Sequence, residues 1–400
     1  MARGRRGQGE GLATAKARLE SLASPAGVGD DLDCLLYGGY AGGNVGDEIA
    51  LAVALEDARA RFGPRVAVLT RAPEYTSGLF PGVAVVPYAP VARSVSPRRP
   101  SILRRLSVRW RPQAEPTYRP IDQIDAAGDP LAWVRRIRSA RHLYLVGGGY
   151  LNDVWDVYFS LLPIWIAVDA GVPISTAPIQ LGPFFSKTTT SRVVDLLRGA
   201  RIVVRDRTSL AFCRENRLEA LLAVDDVFRA DAVIPALRRE ETNDHPLRLG
   251  VCIYRQNGVG EAFDAWWIRC LRALKDADGE ASVEGFAFHN HPGYDTADMK
   301  DLFVRAGWPE NAVLAPPTEF REPSLNLRRY HAIIACRFHA VVVAHVIGVP
   351  ALAVAGTPYY RAKLTARWPD DGPACRPVYP EQADPTETAA DLLRIARKSG

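Results

Sequence analysis

Apolar and polar positions alternate along this chain in blocks of two lengths. Runs of four to seven apolar residues, compact enough to be buried strands, are each followed by stretches with helical spacing of apolar positions. Leu32 to Tyr37, Val66 to Thr70, Val83 to Val86, Arg141 to Val146, Pro173 to Ala177 and Arg201 to Arg205 read as strands. Between them, Asp47 to Phe62, Val154 to Ala170, Ser191 to Arg198 and Thr208 to Asn216 read as helices. After a polar stretch the pattern restarts, with strands at Arg248 to Tyr254, Ser282 to Phe288, His331 to Ala335 and Ala351 to Ala355. Helices are expected at Phe263 to Lys275, Phe338 to Ile347 and Thr386 to Arg397. Strands that are apolar throughout and alternate with helices predict α/β architecture with parallel sheets, because only strands covered on both faces lack a polar side.

The break divides the chain. Residues 238–247 have linker composition, so a first α/β domain is expected over 31–240 and a second over 247–380, facing each other across a cleft, with a closing helix over 384–400. Residues 1–30 are polar and rich in Gly and Arg, and are expected to be a poorly ordered tail carrying at most a short helix near Ala13 to Leu22. Four hundred residues suit two to three domains.

Composition excludes some classes. Hydrophobic content of 48% with 24% charged residues is ordinary for a globular chain, and no apolar run approaches the roughly 20 residues that span a bilayer. The basic N-terminus lacks the apolar core of a secretion signal. The six cysteines are scattered without CxxC spacing, pointing to buried thiols in a reducing cytoplasm rather than to disulfides or zinc. A net charge of +5 does not argue for nucleic acid. It is unevenly placed, however. Arg93, Arg98, Arg99, Arg104, Arg105, Arg109 and Arg111 stand in an insertion near residues 92–120 with no acidic residue among them. Two readings stay open there: a solvated insertion, or peripheral contact with an anionic inner membrane face, worth about 1 kcal/mol per basic residue.

Candidate chemistry collects where strands end. Tyr37 to Glu48 contains Gly38, Gly39, Gly42, Gly43 and Gly46 with Asn44 and Asp47, a loop that opens a helix; Asp47 is also placed to cap it. Gly147, Gly148 and Gly149 follow the Arg141 to Val146 strand and read as a second glycine loop. Gln180 ends an apolar strand, and Arg205 ends another, with Asp206, Arg207 and Ser209 beyond it. For Arg205 the choice is between an ion pair with Asp206 and a clamp on a bound carboxylate or phosphate. His289 and His291 stand two apart after a strand and line the cleft or, with Asp295, hold a metal; lining is the favoured reading. Arg337-Phe338-His339 joins a strand directly to a helix start, where N–H groups and the positive end of a helix dipole favour an anion and an imidazole can move a proton. Tyr359 and Lys363 follow the next strand. No Walker A sequence, Gly-x-Ser-x-Gly elbow or His-Glu-x-x-His is present.

Taken in order, the pieces at Gly39 to Glu48, Val146 to Gly149, Gln180 to Pro183, Val204 to Leu210 and Arg337 to Ala340 resemble the polysaccharide pyruvyl transferase family over roughly residues 32–365. Asp231-Ala232 and Phe288 to Asp295 fall at further stretches of its pattern. Gly39 to Gly42 stands where the family has an aromatic pair, and Gln180-Leu181-Gly182 where it has Gln-Gly-x-Gly. The resemblance implies a fold similar to GT-B glycosyltransferases. It implies transfer of the enolpyruvyl unit of phosphoenolpyruvate, a donor substrate rather than a cofactor, onto two hydroxyls of a sugar to form a pyruvate ketal. By the same motifs Arg337 and Arg205 would hold the donor's phosphate and carboxylate, with His339 as acid and base. Asn44, Gly46, Asp47, the three glycines, Gln180, Ser209, His289, His291, Tyr359 and Lys363 would line the substrate site. The acceptor stays open among a free sugar, an oligosaccharide and a lipid-linked glycan. Two other functions remain at this point: a nucleotide-sugar glycosyltransferase, and a non-catalytic binding protein at the membrane.

Overall fold

Leu35 of strand β1 (Cys34–Tyr37) pairs with Ala67 on one side and Leu143 on the other, both in parallel register, and every residue of β1 is buried. The computed structural model describes residues 32–88, 132–154, 157–234, 247–255, 259–277, 281–291, 293–321, 327–364 and 375–399. The N-terminal tail, the Arg93 to Arg111 segment and most of the 238–247 linker lie outside the described residues.

The first sheet is all parallel, with order β3-β2-β1-β4-β6-β7-β8 and β5 beside β6. Its strands are β1, β2 (Val66–Thr70), β3 (Ala84–Pro87), β4 (Leu143–Leu145), β5 (Gly148–Leu151), β6 (Ile174–Leu181), β7 (Arg201–Val204) and β8 (Ala220–Leu222). Helices α1 (Val45–Phe62), α2 (Pro73–Leu79), α3 (Ala132–Ser139), α4 (Val157–Asp169), α5 (Lys187–Leu197), α6 (Arg207–Glu215) and α7 (Ala230–Val233) belong to this half. The second sheet, also all parallel, runs β10-β9-β11-β12-β13. It is built from β9 (Arg248–Cys252), β10 (Ser282–Gly285), β11 (Ala332–Ala335), β12 (Ala351–Val354) and β13 (Cys375–Val378). With it go α8 (Glu261–Ala277), α9 (Asp295–Arg305), α10 (Phe338–Val346), α11 (Pro358–Leu364) and α12 (Pro385–Ser399). The fold is α/β with two Rossmann-like halves. Helix α12 packs on α8 and on β9 and β11, closing the second core.

Strand order reverses between β1 and β4 in the first sheet and between β9 and β11 in the second. At such a reversal the connections leave in opposite directions and open a crevice beyond the carboxyl ends of the strands. The Gly38 to Gly43 loop leaves β1 at one crevice, and Arg337 to His339 leaves β11 at the other.

The two halves are joined by apolar packing. Leu36, Val45, Ile49, Val227 and Phe228 share one buried cluster with Phe286, Ile333 and Val341 to Ala344. Helix α10 is apolar almost all round, as a helix buried between two layers must be. Backbone bonds reinforce the joint: Val45 N–H donates to the Phe288 carbonyl at 3.1 Å, and Asn290 N–H to the Gly43 carbonyl at 2.8 Å.

The glycine triplet departs from expectation. Gly148 and Gly149 lie in β5, which resumes the course of β4 and pairs with the far end of β6. The Pro173 to Ala177 strand is correspondingly longer, reaching Leu181 and carrying Gln180 within it. Strands β8 and β13 and helices α2, α3, α9 and α11 had no expected counterpart. The short β5 and α7 were likewise unexpected; apart from α9, an 11-residue helix after the edge strand β10, all of these are eight residues or fewer, too short for a clear apolar period.

Candidate active site

Arg205 follows the last residue of β7, and its N–H still donates to the Ile179 carbonyl at 3.1 Å, so the strand ladder fixes its backbone. The side chain is only 2% exposed. Nη1 donates to Asp225 Oδ2 at 2.6 Å and Nη2 to Gln180 Oε1 at 2.8 Å, and the guanidinium lies 5.3 Å from the Phe338 ring centre. A Cβ on Gly149 would come within 2.9 Å of Gln180 Oε1 and 3.3 Å of Arg205 Nη2. That crowding is the physical reason for glycine in a strand here.

Of the two readings of Arg205, the ion pair forms, but with another carboxylate. Its carboxylate partner is Asp225, not Asp206. Asp206 caps α6, its Oδ1 accepting from Ser209 N–H at 2.7 Å. Ser209 is 0% exposed; its Oγ accepts from Leu181 N–H at 2.9 Å and donates to Asp206 Oδ2 at 2.8 Å. Ser209 therefore ties α6 to β6 and offers nothing to a substrate. Asp231 of the family-like turn lies exposed in α7, while Asp225 and Asp226 just before it are buried.

His339 is the second residue of α10 and crosses the joint to α1. A Cβ on Gly46 would overlap its imidazole at Nδ1, so only glycine admits the ring. On its other side Nε2 is 3.8 Å from Asp225 Oδ2 and makes no hydrogen bond among the described residues. Asp225 thus faces Arg205 and His339 together, and its Oδ1 also accepts from Val227 N–H at 2.9 Å. Burial works against its ionisation, but Arg205 and His339 outweigh burial and hold its carboxyl below the usual range.

Arg337, the N-cap residue of α10, is paired with the fully buried Asp295 through Nε, at 2.9 and 3.1 Å, and through Nη2. Its guanidinium stacks 3.7 Å from the Tyr254 ring centre. Asp295 also accepts from Phe288 N–H at 3.0 Å, so it is the anchor of Arg337 rather than a metal ligand. The two histidines diverge because β10 ends at Gly285 and a loop follows. His289 is buried and stacked on Tyr294, 4.4 Å between centres, whereas His291 is exposed and accepts from Gly293 N–H. Burial and then Arg337 push His289 down to about 4. No group of three His, Cys, Asp or Glu residues able to hold a metal ion occurs among the described residues.

The α1 side completes the site. Asn44, not Asp47, is the N-cap: its side chain accepts from Gly46 N–H at 3.2 Å, and its backbone bridges to His289. Asp47 stands in the first helical turn, half-buried. Burial raises its carboxyl, while His339, Lys363, Arg205 and Arg337 act against that rise, in that order. These four positive groups belong to segments that follow strands of both sheets. Lys363 Nζ lies 4.7 Å from the Tyr359 ring centre, and Tyr359 OH donates to the Gly149 carbonyl at 3.5 Å. Gly147 lies deeper, against Asp226. Beside Asp47, Glu48 is 1% exposed with Oε1 unpartnered, and burial pushes it up to about 8.

Sequence reasoning missed Asp225, Phe338 as a guanidinium platform, and Glu48. The signal for Asp225 was two adjacent acids in the apolar run Ala223 to Phe228.

A family model described as polysaccharide pyruvyl transferase matches residues 44–358. No curated protein matches. Solved structures with a similar fold include Staphylococcus aureus MnaA with UDP (TM-score 0.57, 11% identity, 92% of this chain and 89% of that one). A putative UDP-N-acetylglucosamine 2-epimerase from Listeria monocytogenes (0.56, 11%, 92% and 89%) is similar too. So is the UDP-GlcNAc 2-epimerase of Neisseria meningitidis bound to UDP-GlcNAc (0.54, 9%, 92% of both). At these identities the likeness is one of fold. No described helix is long and apolar enough to cross a membrane.

Proposed function

Because this chain belongs to the polysaccharide pyruvyl transferase family, we propose that it moves the enolpyruvyl unit of phosphoenolpyruvate onto two hydroxyls of one sugar. The product is a pyruvate ketal, and phosphate is released. The observation that carries this reading is that Arg205, from the first sheet, and His339, from the second, face the same buried carboxylate of Asp225, at 2.6 and 3.8 Å, with Arg337 two residues before His339. A small ligand with a phosphate and a carboxylate on three carbons needs cations from more than one direction, and this site supplies them from β7, α10 and α11.

The residues divide the work by accessibility. Arg337, 14% exposed in its side chain, and Lys363, partly exposed, are the cations that reach the ligand. Arg205 forms the floor, its charge balanced by Asp225 and its Nη2 held by Gln180. The N-terminal N–H groups of α10 add a further anion-binding element. Ketal formation needs a proton at C3 of the enol and removal of protons from the attacking hydroxyls. His339, held between Gly46 and Asp225, is the acid and base, a role worth about 10²–10⁴-fold. Packing of α1 on α10 keeps water from the activated pyruvyl carbon.

The test is direct. Purified protein is incubated with phosphoenolpyruvate and a panel of galactosides, mannosides and glucosides, followed by phosphate release and by the mass of the acceptor. Acceptor-dependent phosphate release with formation of a ketal is expected. Saturable binding of a UDP- or GDP-sugar without binding of phosphoenolpyruvate would overturn the reading.

A further inference from the structure

Of the carboxylates near the reacting centre, Glu48 is sealed at 1% exposure and two aspartates are committed. Asp225 faces the Arg205 guanidinium and Asp295 that of Arg337, each also accepting a backbone N–H. Asp47 differs. Among the described residues its carboxylate accepts no hydrogen bond, and it is half-buried where the other two are sealed. Position explains this: the capping role belongs to Asn44, which leaves the Asp47 side chain free at the mouth of α1. The preceding residue, Gly46, carries the contact of α1 with the His339 ring, and a Cβ on Gly148 at the start of β5 would lie 4.0 Å from Asp47 Oδ1. A carboxylate that is free, accessible and one residue along from the contact with the imidazole is equipped to exchange a proton rather than to brace a neighbour.

We propose that Asp47 is the second proton-transfer group of the site, accepting the proton of the first attacking hydroxyl while His339 delivers one to C3. The assignment rests on the pyruvyl-transfer reading. Two such groups suit the chemistry, because two hydroxyls each lose a proton while the ligand gains one on C3 and one on the departing phosphate, so in each step one group takes a proton as the other gives one. In the first step the acceptor oxygen bonds to C2 and its proton passes to Asp47. The C2–C3 double-bond pair takes the imidazolium proton at C3, leaving a tetrahedral carbon that still bears phosphate. In the second step the C2–O bond to phosphate breaks, and the protonated Asp47 supplies the proton that leaves with phosphate. The second hydroxyl bonds to C2, and the now neutral His339 takes its proton. Both groups end as they began.

The surroundings suit both forms of the carboxyl. Burial favours the acid, while His339 of α10, Lys363 of α11, Arg205 after β7 and Arg337 at the N-cap of α10 favour the anion, so opposing influences act on it.

The test compares the full-length protein with Asp47→Asn and Asp47→Ala. Phosphoenolpyruvate binding is followed calorimetrically, turnover by phosphate release, and folding by thermal melting. Expected are phosphoenolpyruvate affinity within about threefold of wild type and kcat lowered by about 10²–10⁴-fold. Added formate should restore part of the turnover of the Ala variant, whose cavity admits it, but not of the Asn variant. Wild-type kcat in either variant overturns the assignment. Loss of phosphoenolpyruvate binding in variants that melt with the wild type also overturns it, since Asp47 would then be a binding group. A wild-type protein that neither binds phosphoenolpyruvate nor turns it over fails at the earlier reading and takes this assignment with it.

Discussion

Asp225 sits where two demands meet: it neutralises a guanidinium that is 2% exposed and faces the ring of His339. Removing one partner of a buried pair leaves the other charge uncompensated, which costs about 3–5 kcal/mol. Asp225→Asn should therefore lower the unfolding free energy by that amount, moving the denaturant midpoint down without changing the slope, and the activity of the folded fraction should fall with it. Glu48 makes a prediction of opposite sign. Its folded value of about 8 lies above the 4.5 of an ordinary glutamate, so the folded state binds more protons between those values. Its contribution to stability is complete below pH 4.5 and is lost as pH rises through 8. Glu48→Gln keeps a donor in place of the carboxylic acid and should flatten that decline. At about 1.4 kcal/mol per unit, the gain at pH 9 is a few kcal/mol, read from melts across pH 5–9. His289 acts on the acid side. Its folded value of about 4 lies below 6.5, so the stability it contributes is present above pH 6.5 and fades toward 4. His289→Gln should reduce the loss of melting temperature between pH 6.5 and 4.

Among elements, the contact of α1 with α10 controls the catalytic geometry. Gly46 is the point of closest approach, and a methyl group there must displace the imidazole. Gly46→Ala should lower kcat by at least tenfold while phosphoenolpyruvate affinity changes little, because Arg337 and Lys363 are anchored elsewhere; steady-state kinetics and calorimetry separate the two. The element scale also shows where the pattern of the chain was readable. Strand β2 was expected at Val66–Thr70 and is found there. A central parallel strand is apolar throughout, and its pattern has no rival. The glycine triplet misled because a glycine-rich stretch after a strand normally turns. Here Gly148 and Gly149 re-enter the sheet so that Gln180 and Arg205 can approach their backbone, and that approach depends on residues some 30 to 60 positions away.

For the whole molecule, the continuous apolar cluster from Leu36 to Val343 predicts that the two halves unfold together. Far-ultraviolet dichroism and the fluorescence of the buried Trp266 and Trp267 should give coincident denaturant transitions. Two separated transitions would show that the joint is weaker than its packing indicates. The same joint holds the site together, since the His339 ring lies against Gly46 only while α1 and α10 are packed.

Local order sufficed for much of this. Apolar runs and helical spacing determined the alternating strands and helices, hence the parallel sheets. The strand-end motifs determined which loops carry Arg205, Arg337, His339 and Asp47, because the residue types that close a strand and open a helix are neighbours in the chain. Partnership was decided only in three dimensions. That Arg205 pairs with Asp225, that Arg337 pairs with Asp295, that Ser209 is sealed and that Asp47 is left free all follow from contacts between distant segments. Such contacts are set by sheet order and interlayer packing, and a one-dimensional pattern carries no record of either.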